Sequence, residues 1–208
     1  MISFPKNNSC RKHTFHDLTI TTLFLILGLL ITGCEKKVDE KFKVYGQVTQ
    51  DFQFYNQDNQ LVTKEIFTDK VYVTDFFFTT CTTICPLMKR QMHRVYQAFA
   101  DTPGVLLFSH TIDPEHDTVE VLKNYADGLE IKTDKWQLVT GPQEEIFAMA
   151  KDYMLGVLKD DENPDGYIHS GHFVLVDTER RIRGYYSGTD AKDVDRLIAD
   201  LREFIDAK

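Results

Sequence analysis

Two cysteines carry the most reactive chemistry in the chain. They stand in the run Phe76-Phe-Phe-Thr-Thr-Cys81-Thr-Thr-Ile-Cys85-Pro86. A thiolate is both the nucleophile of disulfide exchange and a ligand for soft metals. Three residues lie between the sulfurs, one more than in common dithiol oxidoreductases. Such a loop can close a disulfide, which requires Cβ atoms within about 4.5 Å of each other. It also lets both sulfurs approach one metal ion from different directions. The other reading is a pair of buried structural thiols. Pro86 suits the start of a helix and pushes the residue before it out of the α region, so Cys85 is expected as the N-cap, with Cys81 in the preceding loop. A helix N-terminus favours the thiolate and lowers a thiol pKa.

Imidazoles are the natural third donor. His93 lies among polar neighbours inside the helix after Cys85 and reads as a surface residue. His110 lies in an apolar β-type run and reads as a satisfied core residue. His116 belongs to Asp113-Pro-Glu-His-Asp117, at the end of that run. His169 and His172 flank Ser170-Gly171. Ligands of open sheets gather at the carboxyl ends of parallel strands. The loops after Phe78 and after Ile112 share that edge. If a strand from His172 to Val176 runs antiparallel to them, its start lies on the same edge and His169 faces Cys81 and Cys85. By period-two alternation His172 shares a face with Val174 and Val176, which makes it a core residue. Asp113, Glu115 and Asp117 read as a helix-start cluster or as a rim for a partner. Asp160 to Gly166, DDENPDG, reads as a solvated loop, or as a lid carrying His169.

The elements that must position these groups follow from hydrophobic period and turn chemistry. Short strands are expected at Gly46–Val48 and Asp51–Tyr55, with a turn over 56–59 leading to Leu61-Val62. Val71 to Phe78 is a central strand buried on both faces. A helix follows to about Phe99. Val105 to Ile112 is a second buried strand, Asp117 to Asp127 a helix, Trp136 to Thr140 a strand, and Gly141-Pro142 opens a helix ending near Tyr153. His172–Val176 and Ile182–Tyr186 form a hairpin, and Ala191–Ile205 is an amphipathic helix. The expected class is α/β, a thioredoxin-like arrangement. Its mixed central sheet is flanked by helices, with an N-terminal β-hairpin and an insertion between the two halves.

Composition narrows the function. Of 208 residues, 24 are Lys or Arg and 32 are Asp or Glu, for a net charge of -8. That balance argues against nucleic-acid binding, which needs a basic face. The apolar runs are too short for several membrane spans. The first 17 residues carry Lys6, Arg11 and Lys12, and the 14 residues from Leu18 to Ile31 form an apolar stretch that ends in Thr32-Gly33-Cys34. The pattern resembles a signal peptide closing in a lipobox, with Cys34 as the lipidated residue; the other reading is an uncleaved N-terminal anchor whose cysteine is incidental. The expected organisation is a lipoprotein-type signal peptide over residues 1–33, a tether over 34–43 and one domain over 44–208. The domain is expected outside the cytoplasm, on the periplasmic side, held to a membrane by lipid on Cys34. Besides Cys10 in the leader and Cys34, only the Cys81–Cys85 pair remains, too few cysteines for a disulfide scaffold.

From about Asp51 to Phe204 the chain resembles the SCO/SenC family of membrane-tethered copper proteins. The resemblance rests on Asp51-Phe-x-Phe, FFFTTCTTICP, SHTIDPEHDT followed by VLKNYA, Trp136 with Thr140-Gly141, and IHSGHFVLVD. It implies a thioredoxin fold. It also implies one copper ion, Cu(I) or Cu(II), held by Cys81, Cys85 and His169, and delivery to the dinuclear copper site of cytochrome c oxidase. The implied partners are that oxidase subunit and other copper donors or thiol reductants. Ile168 stands where the family often carries an acid. No proline directly precedes the strand at His172, unlike ordinary thioredoxins, which favours a metal site over general disulfide exchange. The alternative is a thiol–disulfide oxidoreductase that uses Cys81 and Cys85 as a redox pair to keep the oxidase's copper-site cysteines reduced. That role does not need His169. Zinc also suits three protein ligands and a water. The intact cysteine pair argues against an inert binding module.

Overall fold

A computed structural model of the chain describes residues 42–160, 162–163 and 165–206. The expected signal peptide and the lipidation site at Cys34 lie outside the described residues, as does all of the expected tether except Phe42 and Lys43. No helix among the described residues is long and apolar enough to cross a membrane.

The strands are β1 (Gly46–Gln47), β2 (Gln53–Asn56), β3 (Leu61–Thr63), β4 (Val71–Phe77), β5 (Val105–Thr111), β6 (Trp136–Thr140), β7 (Val157–Lys159), β8 (Tyr167–His169), β9 (His172–Val176) and β10 (Arg181–Ser187). The helices are α1 (Cys85–Phe99), α2 (Val119–Gly128), α3 (Gln143–Asp152) and α4 (Ala191–Asp206). Eight strands form one mixed sheet in the order β1-β10-β9-β4-β5-β6-β2-β3. β4, β5 and β6 run parallel, and the other pairs are antiparallel. Each residue of β4 and β5 is buried, as continuous apolar runs covered on both faces must be. The thioredoxin-like halves are therefore β4-α1-β5 and β9-β10-α4, with α2, β6 and α3 between them. The N-terminal hairpin β2-β3 joins the far edge through β6.

α1 buries Met88, Met92, Val95 and Phe99, and α4 buries Val194, Leu197, Leu201 and Phe204. This is helical spacing on one face. On the other face of β4 lies an aromatic cluster. Phe67 stacks on Tyr72 at 3.9 Å between centroids, Phe76 stacks on His110 at 4.6 Å, and the Tyr153 ring meets both Phe76 and Tyr72 edge-on. The domain begins within the stretch expected as tether: Phe42 is buried against Phe204, ring to ring at 4.4 Å.

Several local expectations are corrected. β7 and β8, absent from the expected elements, pair as a separate two-stranded sheet flanking the Asp160–Gly166 stretch read as loop. Cys85 is the first helical residue and Ile84 the N-cap. His172 is exposed. β9 pairs with β4 only from Val174 to Val176, so His172 projects past that covering strand. His93 is half-buried and bonds the Leu129 carbonyl at 3.1 Å. His110 is fully buried but only half satisfied. Its Nδ1 meets the Thr74 hydroxyl at 3.2 Å, while Nε2 has no partner.

Candidate metal centre

The cysteine loop starts where β4 leaves the sheet, and its entry is braced. Asp117 is fully buried. Its carboxylate accepts the Thr79 N–H at 3.0 Å, the Thr79 hydroxyl, and the Thr111 hydroxyl at 2.5 Å. It therefore ties the loop after β4 to the end of β5. The α2 cap is Thr118, whose hydroxyl accepts from the Val121 N–H. Asp117 is thus a strut rather than a cap or a docking rim, and Glu115 and His116 beside it are exposed.

From the other side comes the β7–β8 hairpin. Tyr167 donates to Asp113 at 3.2 Å and accepts from Gln143 at 3.0 Å, while Gln143 also holds the Ile112 carbonyl. Two residues on, with the same alternation, His169 turns inward. Its Nδ1 lies 3.2 Å from the Ser170 carbonyl. A carbonyl only accepts, so the proton sits on Nδ1 and the Nε2 lone pair faces the site. Nε2 is 3.3 Å from the Cys85 sulfur.

The sulfurs of Cys81 and Cys85 and a His169 ring nitrogen all lie within 4.8 Å of one another, and all three residues are buried. Both cysteines are free thiols. Their environments differ. Burial raises the Cys81 pKa, but hydrogen bonds from Thr83 and Cys85 outweigh it and hold it below the ordinary thiol value. Burial pushes Cys85 well above that value, and the neighbouring Cys81 and Asp75 charges add to the rise. Cys81 is the first to ionise. Burial also lowers the His169 pKa, so the ring stays neutral at pH 7. Beneath Cys85, a small apolar pocket is lined by Asp75, Met88, Ser109, Tyr125 and Trp136 among others. Asp75 accepts the Ser109 hydroxyl at 2.5 Å, and burial raises its pKa to about 7.

Two sulfurs and one neutral imidazole form a soft donor set suited to copper or zinc. The same sulfurs are placed for reversible disulfide formation. The sequence brought forward three of these side chains and missed a fourth contact, Asp165. Its carboxylate accepts the Thr82 hydroxyl at 2.8 Å and the Thr83 hydroxyl at 3.1 Å, and lies 3.9 Å from the Cys81 sulfur. The acids of DDENPDG were the only signal for it. His172 does not reach the cluster and bonds the Ser170 hydroxyl at 2.7 Å.

Comparison with known proteins places this geometry. A SCO1/SenC lipoprotein of Bacillus anthracis is 31% identical, with a TM-score of 0.70 over 77% of this chain and 96% of its own. BsSco is described as having a disulfide switch and as a member of the Sco family of cytochrome c oxidase assembly proteins. It is 30% identical, with a TM-score of 0.69 over 80% of this chain and 98% of its own. A copper-bound ScoI of Arabidopsis thaliana, 23% identical, shares the fold with a TM-score of 0.62 over 74% of this chain and 98% of its own. The family model described as SCO1/SenC matches residues 41–206, and the chain belongs to that family.

Proposed function

We propose that this protein binds one copper ion through Cys81, Cys85 and His169 and hands it to the copper-site subunit of cytochrome c oxidase. The observation that carries the reading is the convergence of two thiols and one Nε2 lone pair within 4.8 Å, at a sheet edge where three separate elements meet. Copper is the cargo. Thiolates favour Cu(I) and the imidazole helps retain Cu(II). Zinc would accept the same donors, but BsSco's description as an oxidase assembly protein and the copper in the A. thaliana protein favour copper. Asp117 and Tyr167 keep the donors in place, and burial keeps His169 neutral.

The chain enters the domain near Phe42, so lipid on Cys34 would hold the domain close to a membrane outside the cytoplasm. The lipobox-like Thr32-Gly33-Cys34 supports this placement.

A second reading has one specific observation in its favour. The two thiols ionise unequally, Cys81 first, as an attacking sulfur and a resolving sulfur would. In that role the pair reduces a disulfide between cysteines of the oxidase subunit through a mixed disulfide on Cys81, ending as the Cys81–Cys85 disulfide, and His169 is dispensable.

Titration of the reduced protein with copper separates the readings. The wild type is expected to take up one copper and to show a sulfur-to-Cu(II) absorption band. Cys81→Ser and Cys85→Ser lose tight binding without unfolding. His169→Ala loses the Cu(II) band and keeps a weaker two-sulfur Cu(I) site. Stoichiometric tight copper in both serine variants refutes the copper site. Full thiol-reductase turnover in His169→Ala, with no copper uptake by the wild type, favours the second reading.

A further inference from the structure

The two loops that meet at the site are joined by a carboxylate that copper binding does not require. Asp165 sits at the tip of the β7–β8 hairpin, 83 positions from Thr82 along the chain. One carboxylate oxygen accepts the Thr82 hydroxyl at 2.8 Å. The other accepts the Thr83 hydroxyl at 3.1 Å and the Thr82 N–H at 3.4 Å, with the Cys81 thiol at 3.9 Å. A carboxylate has about four acceptor positions, and here four donors from the three consecutive residues 81–83 converge on it, one on the first oxygen and three on the second. The hairpin tip is itself held. The Asp165 N–H bonds the Asn163 side chain at 2.9 Å, Asp160 N–H bonds the Gly166 carbonyl at 3.0 Å, and Gly166 N–H bonds the Asn163 carbonyl at 2.8 Å. The partner residues between the cysteines are both threonines, each supplying a hydroxyl to the clamp.

We propose that Asp165 is a positioning residue, a latch that clips the Cys81 loop to the hairpin carrying His169 and so sets when Cys81 can leave the site. With the latch closed, Cys81 is held beside Cys85 and His169 and its sulfur is shielded by Thr83 and Asp165. With it open, the loop from Thr79 to Ile84 swings on the Asp117 strut and exposes Cys81, while Cys85 stays fixed as the first residue of α1. Access to Cys81 is what a partner needs, whether it takes a metal ion or forms a mixed disulfide. The inference therefore deepens the functional reading, but its first test uses no copper.

The test is the rate of Cys81 alkylation by iodoacetamide in the reduced, metal-free full chain, followed by peptide mass mapping with Cys85 as internal control. Rates are taken on the alkaline plateau of the Cys81 pH profile, where Cys81 is ionised in wild type and variant alike and access alone differs. Asp165→Ala and Thr82→Val each remove latch bonds, and Thr82→Val does so while leaving the Asp165 charge in place. Both are expected to speed Cys81 alkylation about tenfold, the factor of one hydrogen bond to a charged acceptor, with Cys85 unchanged. Asp165→Glu, which keeps the acceptor, is expected to recover most of the protection. A rise in Asp165→Ala with none in Thr82→Val refutes the latch, since charge alone would then be at work. So does an unchanged rate in both, or an equal rise at Cys85, which would report general loosening. In a second measurement, Cu(I) release to a chelator is expected to be faster in Thr82→Val. Absence of copper binding in the wild type would sink the copper reading and leave the alkylation result standing.

Discussion

Single residues set the site's geometry through bonds that cannot be made elsewhere. Asp117 is the clearest case. It is a buried carboxylate satisfied by a backbone N–H and two hydroxyls from Thr79 and Thr111. Removing it leaves the buried Thr111 hydroxyl and the half-buried Thr79 donors without their shared acceptor. Asp117→Ala is expected to cost about 3 kcal/mol of stability, read from the urea midpoint. It is also expected to loosen the cysteine loop, seen as faster alkylation of Cys81. Glu115→Ala, at an exposed position two residues away, is expected to change neither. The two acids lie within one short motif, and only burial separates their roles. Cys85 and Cys81 differ for a similar reason. One begins a helix beneath the sheet edge, and the other lies in a loop among hydroxyl donors.

At the scale of elements, the site depends on close approach between segments far apart in sequence. Gly141, between β6 and α3, illustrates it. A Cβ there would fall 2.4 Å from Phe54 Cδ1 and 3.1 Å from Cε1. Phe54 lies in β2 and is fully buried, so it has no free space to yield into. Gly141→Ala is expected to destabilise by about 2 kcal/mol through overpacking. Gly128→Ala, at the end of α2 with nothing within 4 Å of the added carbon, is expected to be neutral or slightly stabilising. Thermal unfolding of the pair checks both. The contrast also explains why the Thr140-Gly141 step carries structural rather than chemical meaning: the N-terminal hairpin can pack on the sheet only if that turn is bare. The hairpin β7–β8 has the opposite character. Leu158 and Ile168 face each other across it and are both exposed, so only its inner side is anchored, through Tyr167 packed on Phe78 and bonded to Gln143 and Asp113.

For the molecule as a whole, the buried sheet carries two titratable groups whose effects oppose each other. Burial lowers His110 from 6.5 to about 3 and raises Asp75 from 3.8 to about 7. Below about pH 6.5 the unfolded chain takes a proton at His110 that the fold refuses, so stability is lost as pH falls toward 3. Between 3.8 and 7 the fold keeps a proton at Asp75 that the unfolded chain releases, so stability is lost as pH rises. The two slopes cancel between about pH 4 and 6.5. Asp75→Asn keeps an acceptor for Ser109 and removes one of them. Its unfolding free energy is expected to climb with pH over that range by up to about 1.4 kcal/mol per pH unit more steeply than the wild type's. Urea titrations at pH 4, 5 and 6 measure this, and parallel curves would show that the two groups are not set as described. Neither shift is visible in the sequence, where Asp75 and His110 merely interrupt apolar runs. What the sequence did determine is local: the cysteine pair ahead of a helix, the buried runs of β4 and β5, the amphipathic α1 and α4, and the order of elements. Hydrophobic period and turn chemistry act over some ten residues and need no distant partner. The tertiary structure decided what depends on pairing over longer distances. The strands β7 and β8, three residues each, are too short to show a period. His172 follows the alternation of a core residue, yet it lies beyond the stretch that β4 covers. Asp165 sits in a loop whose acids read as solvated until the fold brings Thr82 and Thr83 against it.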